Sequence, residues 1–247
     1  MMRKFAVLSD IHGNSWALKA VLNDIESRNI DTVFNLGDIL YGPLDPKGTY
    51  DLLRTRQFIN IRGNQDRFIL ENIGKKGVHQ TLDYVLKQLD DEALNFLKNL
   101  PFDYRFGSEI YTCHGTPEKD DEYLIEHLTE THVGIKENAT LNSILNQIEE
   151  RIVFCGHSHQ PGFIITDLKT IINPGSVGLP AYDDDLPIFH KMLNFSNHAR
   201  YCIVTVEIGE VIKVEQISIK YDSESAATMA EKNNRPDWAL WLRTGRA

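Results

Sequence analysis

The sequence predicts an α/β protein built around a sheet whose strands are joined by crossover helices. The first third of the chain repeats a short apolar run, a polar loop and an amphipathic helix three times, which is typical of such a sheet. A chain of 247 residues with 42% hydrophobic and 25% charged residues can bury a full core without disulfides. We therefore expect a single domain over residues 1–247.

The first half of the chain carries the clearest alternation of strand and helix. Asn14 is placed to cap the first helix, and Asp90 or Asp91 to cap the last helical piece before Pro101. The predicted order is strand 5–8, helix from 15, strand 32–34, helix from 46, strand 58–61 and two or three helical pieces over 67–99.

The second half is predicted to contain more strands. The expected order is strands 104–106 and 110–113 joined by a hairpin, helices 121–128 and 138–150, strands 152–155, 162–166, 170–172, 201–208 and 211–219, and a helical tail over about 223–243. Residues 178–199 show neither the helical nor the strand period of apolar residues. A loop of that length in a compact domain is commonly functional or disordered, and we expect a lid-like loop.

Composition and charge exclude several classes of protein. The 26 Lys and Arg against 35 Asp and Glu give a net charge of −9, which repels duplex nucleic acid but leaves room for a small phosphorylated substrate at a local metal charge. No apolar run approaches the ~18 residues of a membrane span, and the run near the start is too short for a signal peptide. Cys113, Cys155 and Cys202 are expected to be reduced interior thiols. These features favour a cytoplasmic protein without a membrane partner, its oligomeric state open.

Polar clusters directly follow five of the predicted strands. They are Asp10-Ile11-His12-Gly13-Asn14, Gly37-Asp38, Gly63-Asn64-Gln65-Asp66, His114-Gly115 and Gly156-His157-Ser158-His159. Single members are weak evidence, since Gly-Asp and Gly-Asn are common turn dipeptides. The carboxyl ends of strands in such a sheet line one crevice, so the ordered set should converge. Two Asp, four His and an Asn suit Mn, Fe, Co, Ni or Zn, and exceed what one ion needs.

This ordered set resembles the calcineurin-like metallophosphoesterases. The family pattern occurs as Asp10-x-His12, Gly37-Asp38, Gly63-Asn64, His114 and Gly156-His157-x-His159. Tyr41-Gly42-Pro43 with Asp45-Pro46, and the run Asn173-Pro174-Gly175-Ser176-Val177-Gly178, resemble the bacterial branch of phosphodiesterases and asymmetric diadenosine tetraphosphate hydrolases. The resemblance implies a four-layer α/β/β/α sandwich, in which two mixed β-sheets face each other and helices flank them.

The resemblance also implies a site with two divalent metal ions. The first would be held by Asp10, His12, Asp38 and His159, and the second by Asp38 as bridge, Asn64, His114 and His157. Asp38, Asn64 and His114 would be catalytic, with a hydroxide between the ions as nucleophile. We expect manganese, with Fe, Co, Ni or Zn as alternatives. Substrate would be contacted by Asn64, Asn14, Tyr182 and Arg62, although a salt bridge is an equal alternative for Arg62.

One departure from the family bears on the reaction. Many members have a His after the Gly-Asn pair as general acid, and phosphatase members orient it with an Asp; here these positions are Gln65 and Tyr41. Proton donation typically contributes ~10²–10⁴ in rate. The absence of this general acid favours phosphodiesters or phosphoanhydrides as substrates, because their leaving groups are weakly basic. His79, His190 and His198, like His127 and His132 on predicted helices, are expected to be solvated or core residues.

Three functional classes remain open at this point. The first is a hydrolase of phosphodiester or phosphoanhydride bonds in a small nucleotide-type substrate, with diadenosine tetraphosphate as a candidate. The others are a phosphomonoesterase and a non-catalytic protein-binding scaffold. In the 178–199 segment, Tyr182 and Phe189 are expected either to stack on a base or to pin the loop. The run 183–185 would repel a polyphosphate at the site, so we expect it to face solvent.

Overall fold

The computed structural model describes residues 2–247, with two five-stranded sheets at its centre. In chain order the elements are β1 (Arg3–Leu8), α1 (Ser15–Ser27), β2 (Thr32–Asn35), α2 (Pro46–Leu53), β3 (Ile59–Asn60), α3 (Asn64–Glu71), α4 (Gln80–Gln88), α5 (Asp91–Lys98), β4 (Asp103–Phe106), β5 (Ile110–Cys113), β6 (Glu126–Leu128), β7 (Val133–Ile135), α6 (Asn138–Ile144), β8 (Ile152–Phe154), β9 (Pro161–Ile165), β10 (Thr170–Pro174), β11 (Ala181–Asp184), β12 (His190–Leu193), β13 (Ala199–Glu207), β14 (Glu210–Ile219), α7 (Ser223–Lys232) and α8 (Pro236–Thr244).

Both large sheets are mixed. The first has the strand order β14-β13-β1-β2-β3 and the second β4-β5-β8-β10-β9. Strands β1, β2 and β3 run parallel, as do β5, β8 and β10, while the remaining pairs in both sheets are antiparallel. The five strands that precede the polar clusters therefore all belong to the parallel parts of the sheets.

The two sheets pack face to face, as period-two alternation in each strand requires. Phe5 and Val7 of β1 point into a core shared with Ile152 and Phe154 of β8, while Ala6 points into a second core beneath the helices. That second core joins the first sheet to α1, α2, α4 and α5, and a third joins the second sheet to α6. The four-layer sandwich of mixed sheets and flanking helices is confirmed.

Two predicted helices are wrong in type or extent. Residues 121–128 form turns followed by β6, because the consecutive residues Tyr123, Leu124 and Ile125 are all buried and leave no exposed helical face. His127 therefore lies on a strand, and His132 lies just before β7. The predicted helix 138–150 ends at Ile144, followed by turns.

The segment 178–199 is not an irregular loop. Ala181 to Asp184 and His190 to Leu193 pair as the antiparallel hairpin β11-β12. Ala181 packs with Trp238 and Trp241 of α8 in a further apolar cluster. This hairpin and the C-terminal helices thus share a core. The three cysteines are free and buried, as expected. Within residues 2–247, no helix has both the length and the apolar character needed to cross a membrane.

Candidate metal centre

The five polar clusters converge at one edge of the sandwich, where the loops after β1, β2, β3, β5 and β8 meet. Backbone hydrogen bonds join these loops: the amide of Asp10 donates to Gly37 O (3.0 Å) and that of His12 to Asp38 O (2.9 Å). The amide of Gly156 donates to His114 O (2.8 Å). Residues far apart in the sequence are therefore held in a fixed relation by their main chains.

The side chains of the predicted metal ligands form two adjacent groups. In each group one atom per residue lies within 4.8 Å of the others; the groups are Asp10, His12 and His159, and Asp38, His114 and His157. Asp38 reaches both, because its Oδ2 lies 3.5 Å from His114 Nε2 and 3.8 Å from His12 Nε2. Its other oxygen, Oδ1, accepts a hydrogen bond from the backbone N–H of Gln65 at 2.8 Å. One carboxylate oxygen is thus free to bridge two ions.

The tautomers of the histidines fit a cation between them. Nδ1 of His12 donates to Tyr41 O (3.0 Å) and Nδ1 of His159 to Leu179 O (2.7 Å), which leaves an unprotonated Nε2 on each neutral ring. These two Nε2 atoms are 3.1 Å apart. Two lone pairs at that distance repel, and a metal ion bound by both removes the repulsion.

One further observation fits a second ion, and another fits the first. His114 Nδ1 donates to Leu36 O (2.7 Å), and its Nε2 faces Asp38 and lies 3.0 Å from Asn64 Oδ1, where a metal ion would take the place of a proton. Asp10 Oδ1 is buried without a hydrogen-bond partner, 3.4 Å from His159 Nε2. A buried acceptor without a donor costs about 1–3 kcal/mol, and a coordinated cation offsets that cost. The donor set therefore fits two metal ions.

The backbone is strained at the same residues. Five of the seven predicted ligands have a positive φ: Asp10 (55°), His12 (52°), Asp38 (53°), His157 (67°) and His159 (59°). Non-glycine residues rarely adopt this region, and each costs on the order of 1 kcal/mol. The strain is concentrated where the side chains must turn from the strand ends toward a common point.

The electrostatics of the cluster favour charged carboxylates and two neutral imidazoles. Burial, with the neighbouring His159, lowers the pKa of His12 to about 4, and burial with His114 lowers that of His157 to about 4. Burial opposes the charged form of His114, but Asp38 and Asp10 outweigh it and raise its pKa to about 10. Burial also opposes ionisation of Asp10, but the surrounding histidines hold its pKa well below the usual range.

Asp66 is a structural member of the site that the motifs did not single out as functional. Its Oδ1 accepts from the Ile39 amide (2.9 Å) and its Oδ2 from the Gly63 amide (3.1 Å), so it joins the loops that carry Asp38 and Asn64. Burial and the charge of Asp38 raise its pKa to about 7. Asp66 is the third residue of α3, and an acidic residue in the first turn of a helix commonly accepts a hydrogen bond from the backbone amide before that helix, as Asp66 does from Gly63; this is the local signal for it.

Two cavities flank the cluster. The first, of about 200 Å³, is lined by five of the predicted ligands and, across from them, by Arg235, Trp238 and Trp241 near the C-terminus. The second, of about 750 Å³, is lined by Lys119, Lys136, Glu126 and Leu186 among others. The residues common to both walls are Asn64, Tyr123, His157 and Asp184.

Tyr182 lies where a substrate-contacting residue was predicted, in the wall of the first cavity. Its hydroxyl is hydrogen-bonded to Tyr123 Oη (2.7 Å) and donates to His157 O (3.3 Å), and its ring centre is 4.6 Å from that of His159. It therefore also supports the histidine loop.

Two residues predicted to contact substrate lie outside the walls of the two cavities. Asn14 is fully buried: its Nδ2 donates to Gly178 O (2.9 Å) and Tyr221 Oη (3.2 Å), and its Oδ1 caps α1 by accepting from Ala17 N. No part of its amide is left for a phosphate. Arg62 lines neither cavity, and its Nε is buried without a partner.

The structure also adds to three expectations about the rim of the site. Asp183 and Asp184 are exposed, as expected, but they also line the first cavity, and Asp184 lines the second as well. His79 lines the first cavity, with its Nδ1 3.1 Å from Tyr41 Oη. Phe189 is 59% exposed and lines neither cavity. His190 is a core residue, as expected, bonded to Tyr123 Oη.

The comparisons with known proteins agree with this geometry. Residues 2–192 match the model of the calcineurin-like phosphoesterase superfamily domain. The chain belongs to this family. This phosphoesterase is 30% identical to an uncharacterised protein of Methanocaldococcus jannaschii, over 94% of each chain. Its fold is similar to a metallophosphoesterase from Sphaerobacter thermophilus (TM-score 0.77, 22% identity, 98% and 99% of the chains) and to a hypothetical protein from Pyrococcus horikoshii OT3 (TM-score 0.73, 22% identity, 98% of both). It is therefore a phosphoesterase of a metal-dependent family.

Proposed function

We propose that this phosphoesterase hydrolyses phosphodiester or phosphoanhydride bonds in a small nucleotide-type substrate, using two divalent metal ions. The observation that carries the proposal is that two cavities adjoin the cluster of predicted ligands, with Asn64 and His157 in the walls of both. A scissile phosphorus at the cluster would have room for one substituent in each cavity. A monoester has only one substituent and would leave one cavity unused.

We assign the predicted ligands to the ions as their grouping suggests. One ion would be held by Asp10, His12, Asp38 and His159, and the other by Asp38, Asn64, His114 and His157. The two groups of three that lie close together, Asp10, His12 and His159, and Asp38, His114 and His157, are parts of these sets. When bound, the ions would supply an activated water and neutralise charge at phosphorus. Asp38 would be a ligand of both ions, Asn64 would face the phosphate, and Asp66 holds the loops that carry these two side chains together. Manganese is the proposed metal, with Fe, Co, Ni or Zn as alternatives.

The groups beside the cluster favour a weakly basic leaving group. Gln65 lines the first cavity where a general acid would be needed, and an amide does not donate a proton in this way. Burial raises the pKa of Tyr41 to about 12, which places it far from neutral pH. Burial and the nearby Arg235 lower the pKa of His79, which disfavours the protonated form that a general acid needs. Diesters and anhydrides need such an acid least.

Tyr182 is the proposed contact for an aromatic base, because its ring lies in the wall of the first cavity beside His159. Diadenosine tetraphosphate is one candidate substrate of this kind. We further propose that the enzyme acts in the cytoplasm, which the three free, buried thiols support.

A substrate panel tests the proposal. The manganese-loaded enzyme is assayed with bis(p-nitrophenyl) phosphate, diadenosine tetraphosphate and phosphoserine, and Asp38→Asn is the inactive control. We expect kcat/KM for at least one of the first two to exceed that for phosphoserine by about 10²-fold or more, the usual size of a missing proton donor. Equal values for all three, or highest activity on phosphoserine, would favour a phosphomonoesterase instead.

A further inference from the structure

We propose that Asp183 and Asp184 determine specificity by repelling substrates that carry negative charge beyond the scissile phosphate. This inference rests on the proposed function and narrows it, since it distinguishes a singly charged phosphodiester from a polyphosphate. Both residues end strand β11, both are exposed, and both lie in the wall of the first cavity. Asp184 lies in the wall of the second cavity as well, so a substituent on either side of the cluster meets a carboxylate.

The hairpin holds these carboxylates without neutralising them. Asp184 Oδ1 accepts from the Leu186 amide at 2.9 Å, which fixes its side chain against its own turn. Lys191 stands opposite Asp183 in the hairpin register, but its ammonium donates to Ala247 O at 2.9 Å and lies over the Phe189 ring. Among residues 2–247, neither Asp183 nor Asp184 has a cationic partner.

The cations in the cavity walls are already paired. Arg235 makes an ion pair with Asp237 at 2.6 Å in the first cavity. In the second, Lys119 lies 3.4 Å from Glu122, and Lys136 donates to backbone carbonyls, including Glu126 O at 2.8 Å. Within residues 2–247, each of these cations would have to leave its present partner to bind a second phosphate of the substrate. That phosphate would meet the carboxylates of Asp183 and Asp184, joined in the second cavity by those of Asp121, Glu122 and Glu126.

The charge of a phosphodiester lies on the group being cleaved, at the cluster, so it does not require a cation in either cavity. A polyphosphate must place its remaining charges in a cavity, where like charges a few ångströms apart oppose binding. The substrate class that fits both cavities is therefore a monoanionic phosphodiester with uncharged substituents. Diadenosine tetraphosphate, whose phosphates flank the cleaved bond, is disfavoured.

The test compares bis(p-nitrophenyl) phosphate with diadenosine tetraphosphate on the manganese-loaded full chain. The wild type should prefer the diester. In Asp183→Asn/Asp184→Asn, kcat/KM for the tetraphosphate should rise about tenfold, while that for the diester changes by less than about threefold. Asp185→Asn is the matched control, because Asp185 is exposed on the same turn and lines neither cavity. It should leave both values as in the wild type.

Ionic strength provides a measurement that needs no variant. Salt screens repulsion between exposed charges, so raising it from about 0.05 to 0.5 M should raise the wild-type kcat/KM for the tetraphosphate relative to the diester. Three outcomes would overturn the inference about Asp183 and Asp184 and leave the proposed function standing. They are a higher wild-type kcat/KM for the tetraphosphate than for the diester, an equal change of kcat/KM for both substrates in the double variant, and the same effect in Asp185→Asn. Absence of hydrolysis of either substrate would instead refute the proposed function and this inference with it.

Discussion

A buried carboxyl that contacts no predicted ligand supports the histidine loop. Glu126 is 7% exposed and accepts a hydrogen bond from Ser158 Oγ at 2.7 Å, and Ser158 lies between His157 and His159. Burial raises the pKa of Glu126 to about 7, although the hydrogen bond from Ser158 acts in the opposite direction. We therefore expect the protonation of Glu126 to affect the stability of the loop that carries His157 and His159.

Glu126→Gln should change how stability depends on pH. A raised pKa means that the acid form stabilises the fold below pH 4.5 and that this contribution is lost as the pH rises to about 7. The total loss is on the order of 3 kcal/mol. Glutamine does not titrate, so the variant should gain stability relative to the wild type between pH 5 and pH 8. Urea denaturation of the metal-free chain at both pH values measures this.

Glu122→Gln, on the same segment but exposed, is the matched control. A difference between Glu126→Gln and the wild type that is the same at pH 5 and pH 8 would show that the Glu126 carboxyl does not titrate in this interval.

At the scale of elements, the site depends on the contact between the loops after β2 and β3. Gly37 has φ +101°, and a Cβ there would lie 2.4 Å from Gly63 N. The two loops carry Asp38 and Asn64, so their approach sets the distance between a predicted bridging ligand and its neighbour. A larger residue at 37 must move one loop away from the other.

Gly37→Ala should therefore cost more than backbone strain alone. Gly74 also has a positive φ (+83°), but no atom lies within 4 Å of the position of a Cβ, so Gly74→Ala is the control. We expect Gly74→Ala to lower the free energy of unfolding by about 1 kcal/mol and Gly37→Ala by more than about 3 kcal/mol, with loss of bound metal. Chemical denaturation and metal analysis measure both effects. Equal costs for the two variants would argue against a tight contact between the loops.

The sequence predicts the elements whose apolar pattern is local, and misses those formed by distant contacts. The strands before each cluster alternate between two cores, so their residues mark them directly. In the β11-β12 hairpin, Tyr182 is followed by three aspartates, which is a weak strand pattern. The hairpin is held by distant contacts, of Tyr182 with His159 and of Ala181 with helix α8. Each ligand motif is likewise a short run of residues that can be recognised in the sequence. The part of the first cavity wall formed by Arg235 and Trp238 cannot, because these residues come from the far end of the chain.

Side-chain roles are the other limit of prediction from sequence. Asn14 follows a predicted metal-ligand motif and precedes a helix, so its amide could contact a phosphate or cap the helix. In the structure its Nδ2 donates to Gly178 O and Tyr221 Oη, which favours the structural role. Asp183 and Asp184 look like a solvated turn, and only the placement of the hairpin beside the cluster brings them to the cavities.

For the molecule as a whole, the two sheets bring five loops to one edge. The unfavourable contacts and backbone conformations that this requires are concentrated at that edge. The Nε2 atoms of His12 and His159 oppose each other, Asp10 Oδ1 has no donor, and five ligand positions have a positive φ. Bound cations that pair with these atoms would offset much of this cost. The central claim is therefore that the native protein holds two metal ions.

The metal content of the purified chain tests that claim directly. After loading with manganese and removal of excess, elemental analysis should give two ions per chain for the wild type and about one for His159→Ala, which loses a ligand of one ion only. His198→Ala, which changes a histidine outside both cavities, should retain two. One ion or fewer per wild-type chain, or two ions in His159→Ala, would contradict the account.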